Sequence, residues 1–327
     1  MSDLAAPTVA RHAPEPAARG QVGDTIFRIA TAGGAWLVLA LLAGVALAMA
    51  WGGRQAFATF GFGFLTSTDW NAVDGKFGAL VPIYGTLATS AIALLIAVPV
   101  SIGIALFLTD IAPRWTRGPI GMAIELLAAI PSIIYGMWGL FVFAPFMALH
   151  VEPWLIAHLG HAPLIGPLFS GPPIGIGMLS AGIVLGIMIV PFIAAVARDV
   201  FNAVPPALRE AAVALGATRW EILSRVTLPY TRSAVVGAIF LGLGRALGET
   251  MAVTFVLGNA HDLSASLLLP SNSIAAAIAN EFTEADTDLY RSSLIALAFL
   301  LFLVTFIVLT LAKLMLRRMD RGLGRTN

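Results

Sequence analysis

Apolar residues in this chain gather into long runs almost free of charge. Six of the runs are long enough to cross the hydrocarbon core of a bilayer, which takes about 20 apolar residues in a helix. They extend from Ala32 to Trp51, Ala79 to Leu108, Gly118 to Ala148, Ile174 to Ala197, Ser233 to Gly258 and Ser292 to Ala312. A spanning strand would be only about 9 to 11 residues long and would alternate in polarity. The pattern therefore predicts an all-α polytopic membrane protein with six transmembrane helices. Three charges interrupt it: Glu125 near the start of the third run, and Arg245 and Glu249 inside the fifth.

Composition agrees with this reading, since 58% of the 327 residues are hydrophobic and 11% charged, against about 25% charged in soluble domains. The placing of the basic residues adds an orientation, because short cytoplasmic loops hold Lys and Arg in excess. With the N-terminus in the cytoplasm, all but four of the 19 basic residues fall in cytoplasmic segments. Only Arg54, Lys76 and Arg291 lie outside, and Arg245 is intramembrane. Both termini are thus expected in the cytoplasm of a cell whose inner membrane holds the chain. The net charge of +1 says nothing for nucleic acid, and none is expected as a partner; membrane lipid is the surroundings. Cysteine is absent, which excludes a disulfide framework, thiolate metal sites and a cysteine nucleophile. The first run is too long, and begins too late, for a signal peptide with an apolar core of about 7 to 15 residues, and is expected to be retained.

Between the runs, residues 1–28 read as a disordered cytoplasmic tail, rich in Ala and Pro up to Val22. Residues 29–316 form the membrane domain, with a cytoplasmic loop at 198–232, and residues 317–327 a second cytoplasmic tail. The outer loop Asn259 to Arg291 is the longest and is acidic, and within it Ser273 to Phe282 is expected to form a short amphipathic helix at the outer surface. His150, His158 and His161 have no acid at a repeated ligand spacing and read as loop histidines at the water interface. No metal or cofactor is expected. Nor does any G-x-x-x-x-G-K-[ST] loop occur, so this is a transport subunit rather than an enzyme, and any ATP hydrolysis belongs to a partner.

The loop 198–232 carries strong local signals. Pro205 and Pro206 set up a helix start, Ala207 to Leu215 are mostly good helix formers, and Gly216 ends the helix. Thr218 with Glu221 three residues on forms a capping box for a second short helix, which Pro229 is expected to stop. Glu210-Ala211-Ala212, then Gly216, then Val226-x-Leu228-Pro229, resembles the E-A-A-x3-G-x9-I-x-L-P signature of ABC importer permeases, with Val226 in place of the usual Ile. The resemblance implies that Glu210, Ala211, Ala212, Gly216, Leu228 and Pro229 form the loop that fits a groove on an ATPase subunit.

Arg245 lies thirteen residues past Arg232, roughly 20 Å along a helix rising about 1.5 Å per residue, hence near mid-bilayer. A charge there costs about 2.5 to 3.5 kcal/mol on insertion scales and faces protein or a water-filled path. Glu249 is four residues on, on the same helical face. Two readings stand. The residues form a structural ion pair, to which Glu125 contributes, or Arg245 offers its fork of donors to a passing tetrahedral oxyanion while Glu249 holds that fork and accepts from a protonated oxygen. Thr250 and Thr254 would continue the path. Pro131, inside the third run, predicts a kink or an unwound turn.

The segment Leu241-Gly-Leu-Gly-Arg-Ala-Leu-Gly-Glu-Thr-Met-Ala-Val253 resembles a helix of the phosphate-specific ABC importer permeases, C-type subunit, as do Pro82-Ile-Tyr-Gly-Thr86, Ile130-Pro-Ser-Ile-Ile-Tyr-Gly136 and Ala197-Arg-Asp199. The likeness runs from about residue 25 to 315. It implies the type I ABC importer (MetI-like) permease fold and transport of phosphate, with Arg245 and Glu249 implicated. It also implies a second, paralogous permease, two ATPase subunits and an external phosphate-binding protein. A permease for another oxyanion such as sulfate is the alternative, and more distantly an ion-coupled secondary transporter with Glu249 as proton carrier.

Overall fold

The computed structural model describes residues 18–321, with side chains from 23 to 318. Residues 1–17 and 322–327 of the two expected tails lie outside the described residues. The chain divides into two units, one ending at Ala48 and one beginning at Met49. The described part of the first is a single helix, most of α1 (Ala18–Gly52). Residues 18–28, assigned to the tail by composition, are helical: once the apolar run nucleates a helix, extending it gains one hydrogen bond per residue fixed.

The second unit continues with α2 (Arg54–Phe60), α3 (Gly63–Thr66) and a two-residue antiparallel pair, β1 (Trp70–Asn71) and β2 (Lys76–Phe77), in which Trp70 faces Phe77. Next come α4 (Leu80–Leu106), α5 (Arg114–Ala128), α6 (Ser132–Trp138), α7 (Ala144–Phe146), α8 (Glu152–Leu159) and α9 (Met178–Asn202). The order ends with α10 (Pro206–Ala214), α11 (Arg219–Ile222), α12 (Leu228–Leu247), α13 (Met251–Leu257), α14 (Ile274–Glu281) and α15 (Asp288–Arg321). Wider-wound turns fuse several of these. Six helices among the described residues are long and apolar enough to cross a membrane: Gly23–Gly52, Leu80–Ile111, Ser132–Leu159, Met178–Asn202, Arg219–Leu247 and Asp288–Arg318.

The core of the second unit is the seam between α4 and α9, extended by α13. Ala93 and Ala97 face Met178, Ala181, Leu185 and Ile189, with Ala252, Val253 and Val256 closing the cluster. Small residues let the backbones approach, and Ser101 donates its hydroxyl across the seam to the Val190 carbonyl at 3.0 Å. That is how helices associate in lipid, where apolar burial alone supplies little drive.

Two predicted spans are redrawn. Pro131 does more than kink the third: its extended conformation (φ −57°, ψ 135°) ends one helix and starts another, since the residue before a proline is disfavoured in the helical region. Gly118 to Ala148 is therefore not one helix. The span runs from Ser132 to Leu159, and His150 and His158 are helical rather than in a loop. The fifth span begins earlier, at Arg219, and stops at Leu247. The outer-loop helix, α14, starts where expected, with the Ser273 hydroxyl accepting from the Ala276 amide at 3.1 Å. It does not lie on the surface, however, for Ile274, Ala276 and Ala277 are fully buried and the Ile274 amide donates to Thr86 Oγ1 of α4 at 2.9 Å.

Candidate functional site: an exposed helical knob and a broken span

The loop 198–232 folds into a knob built by local chemistry. After α10 the chain turns at Gly216, whose φ of +80° lies in the left-handed region. The Gly216 amide donates to the Val213 carbonyl at 2.9 Å and the Ala217 amide to Ala212 at 3.0 Å, the paired bonds that close a helix on a C-terminal glycine. Thr218 then caps α11 reciprocally with Glu221, amide to carboxylate at 2.9 Å and amide to hydroxyl at 3.3 Å. On the knob, Glu210 and Ala211 are exposed, and so are Leu215 at 89% and Trp220 at 71%. Ala212 and Gly216 line a cleft with Leu215, Ala217, Glu221, Arg225 and Val226. Burying a leucine-sized side chain stabilises an association by about 1.5–3 kcal/mol, which is the scale an exposed apolar tip of this kind can contribute.

Leu228 and Pro229 lie apart from that cleft. Leu228 packs against Ala105, Ala197, Phe201 and Val235, at the root of the knob. Pro229 does not stop a helix: α11 runs on into α12 through a wider-wound turn at Leu223–Thr227. Such a turn shifts the hydrogen-bond register, and the donor that proline lacks falls where the helix can spare it.

The fifth span breaks beside its two charges. α12 ends at Leu247, Gly248 leaves the helix, and α13 resumes at Met251. Glu249 sits in the gap and its Oε1 accepts from the Ala252 amide at 3.3 Å, where a carboxylate complements the donors and positive end of a helix start. The expected i,i+4 pairing of Arg245 with Glu249 is therefore absent. Glu125 is not Arg245's partner either: it accepts from Arg198 Nη2 at 2.6 Å. No ion pair among the described residues involves Arg245, whose side chain is exposed and within Coulombic range of the Tyr135 phenol. Thr250 and Thr254 are half-buried, with the Thr254 hydroxyl on the Thr250 carbonyl at 2.7 Å. α13 is held against α6 at Gly136, where a Cβ would come within 3.0 Å of the Ala252 Cα. The helix that follows the break in the fifth span thus packs on the helix that follows the Pro131 break.

Several residues at the ends of the spans carry no sequence signal of their role. Glu152 is fully buried and its Oε2 accepts from the Gly175 amide at 2.8 Å, pinning the long connection that precedes α9. At the end of the unit away from the knob, Glu281 accepts from Tyr290 at 2.6 Å, Trp70 Nε1 at 2.7 Å and His261 Nε2 at 2.8 Å, and Trp70 stacks on His261. Burial is the largest single influence on the Glu281 carboxyl and would raise its pKa. The contacts from His261, Tyr290 and Trp70 together outweigh it and hold the pKa below the ordinary value. A carboxylate with a depressed folded-state pKa stabilises above its unfolded value, about 4.3, and loses that contribution as pH falls through the folded value. Glu281→Ala is accordingly expected to cost about 2 kcal/mol at pH 7, the scale of buried donors left without their acceptor, read by thermal unfolding of the purified protein. The gap to wild type should narrow below about pH 4; a gap independent of pH would contradict it.

These observations define a multi-span helical membrane protein with an exposed helical knob at one end of the bundle and an interrupted, charged span within it. Residues 97–321 match the model of the family described as binding-protein-dependent transport system inner membrane component, and the chain belongs to that family. Members are membrane subunits of ABC transporters, multi-pass and not themselves catalytic. Among curated relatives, the "phosphate transport system permease protein PstC" of Xylella fastidiosa is 59% identical over 92% of this chain and 93% of its own. The protein of that name from Mesorhizobium japonicum is 57% identical over 92% of both chains. Among solved structures, a chain of a bacterial alginate ABC transporter superposes with a TM-score of 0.55 at 18% identity, covering 89% of this chain and 96% of that one. A chain of the MetNI methionine ABC transporter gives 0.54 at 17%, covering 73% and 94%. At such identities these two bear on the fold alone, which is that of a type I ABC importer permease.

Proposed function

We propose that this chain is the phosphate-translocating permease subunit of an ATP-driven importer in a bacterial inner membrane, with both termini in the cytoplasm. It pairs with a second, paralogous permease, so that the broken fifth span of each lines a central path. Two ATPase subunits bind the knob of α10 and α11, and an external phosphate-binding protein delivers the ion to the opposite face. The knob drives alternation between outward-open and inward-open states. The high identity to relatives named as phosphate permeases supports the substrate, and the distribution of basic residues supports the orientation.

The observation that carries the reading is the exposed Arg245 inside a span, which is in no ion pair among the described residues. A mid-membrane guanidinium left open on its own chain needs a protein neighbour or a water-filled path, and its planar fork of donors matches a tetrahedral oxyanion. Glu249, turned away to cap α13, leaves that fork open while lowering the local positive charge, so that the ion binds weakly enough to leave. The test is radiolabelled phosphate uptake, with sulfate as competitor, in vesicles carrying the chain and its partners. ATP-dependent uptake that excess sulfate leaves intact is expected; competition by sulfate would move the substrate to oxyanions in general, and ATP-independent flux would overturn the importer. Within this assay Glu249→Gln, which keeps an oxygen for the Ala252 amide, is expected to slow uptake about tenfold without loss of assembled complex, as for the loss of one charge-assisted bond.

A further inference from the structure

Arg209 stands immediately before Glu210 in the knob, yet its side chain turns inward. Nη1 donates to Asp110 Oδ1 at 2.9 Å and Nη2 to the Phe201 carbonyl at 2.8 Å. Asp110 belongs to the wider-wound turn Phe107–Ile111 that ends the second span, and its other oxygen accepts from the Thr109 hydroxyl at 3.1 Å. Phe201 lies in the last turn of α9, where carbonyls lack partners within the helix, and its ring is fully buried. One guanidinium therefore ties α10 to the ends of α4 and α9 together. These are the helices that form the central seam of the unit, and Ala105, Ala197 and Phe201 pack in one cluster with Val235 of α12. α12 carries Arg245.

We propose that Arg209 is a strut: it holds Asp110 and the Phe201 carbonyl at once, so that a displacement imposed on α10 moves α4 and α9, and through them α12, instead of bending the loop at its root. The proposal deepens the transport reading and rests on it. Arginine suits the task because its fork fixes two acceptors in one plane; lysine offers a point charge on a flexible stem. The strut is a positioning device, remote from the ion, and its signature is coupling: phosphate moved per ATP hydrolysed.

The experiment uses the complete complex, with its second permease, ATPases and binding protein, in proteoliposomes, measuring phosphate uptake and ATP hydrolysis side by side. Arg209→Asp and Asp110→Arg are each expected to lower phosphate moved per ATP about tenfold or more, the scale set by one or two charge-assisted bonds. The chain carrying both substitutions re-forms a pair of opposite charge but leaves the Phe201 carbonyl without its donor, and is expected to recover part of the loss, about threefold above either single variant. Should a reversal prevent assembly, Arg209→Lys and Asp110→Asn keep the bulk of each side chain and are each expected to lower the ratio about threefold, the scale of one weakened bond. Unchanged coupling in all assembled variants, or a double variant no better than either single one, overturns the strut. A wild-type complex without ATP-dependent phosphate uptake overturns the transport reading instead, and the strut falls with it.

Discussion

Replacing Arg245 with glutamine is expected to lower ATP-dependent phosphate uptake about a hundredfold while the subunit still inserts and assembles. Hydrogen bonds to a charged partner contribute about 1.5–3 kcal/mol each, and each 1.4 kcal/mol corresponds to about tenfold. Glutamine keeps two donors but loses the charge and the planar fork. Assembly is spared because no ion pair among the described residues is lost: Glu125 is held by Arg198 and Glu249 caps α13. Arg245→Lys retains the charge without the fork and is expected to fall between the two. Uptake at the wild-type rate in assembled Arg245→Gln complexes would remove Arg245 from the path. Parallel loss of assembly and uptake would make it a structural residue at the contact with the second permease.

What could be read from the residues follows from the range of the interactions. The knob was legible in detail because its signals are local: the helix-ending Gly216 and the Thr218–Glu221 capping box each act across three to five residues. The spans were legible in number and type, because a run of apolar residues is itself the physical requirement for insertion. Their interruptions were less so. Pro131 announced a disturbance, but Gly248 did not, for glycine is common in membrane helices and the break depends on Glu249 finding the Ala252 amide. The pairings of the charges were hidden, since Arg198 meets a partner 73 positions away and Arg209 one 99 positions away. In place of these contacts the sequence offered the short-range pairing of Arg245 with Glu249, which the backbone break removes, and Glu125 as a contributor to it, which Arg198 holds instead. Glu152 and Glu281 were hidden for a related reason: an acid outside an apolar run reads as a loop residue until the fold buries it.

The same locality makes Gly216 the point at which the knob is most easily destroyed. Proline fixes φ near −65°, whereas the turn requires +80°, and proline also removes the amide that donates to the Val213 carbonyl. No adjustment of neighbours reconciles these demands, so α10 would have to end differently and the cleft lined by Ala212, Leu215 and Ala217 would open. Gly216→Pro is expected to lower recovery of the ATPase subunits on pull-down about a hundredfold, since the misplaced Leu215 and its neighbours forfeit about 3 kcal/mol of burial. Insertion is expected to be unaffected, the spans lying on either side of the change. Gly216→Ala separates shape from mobility. A Cβ there meets nothing within 4 Å, and the left-handed conformation costs a non-glycine residue only about 1 kcal/mol, so ATPase recovery should fall about fivefold or less. Wild-type recovery in Gly216→Pro would mean that the ATPases grip the chain elsewhere; a loss in Gly216→Ala as deep as in proline would mean that they need a flexible turn and not a rigid knob.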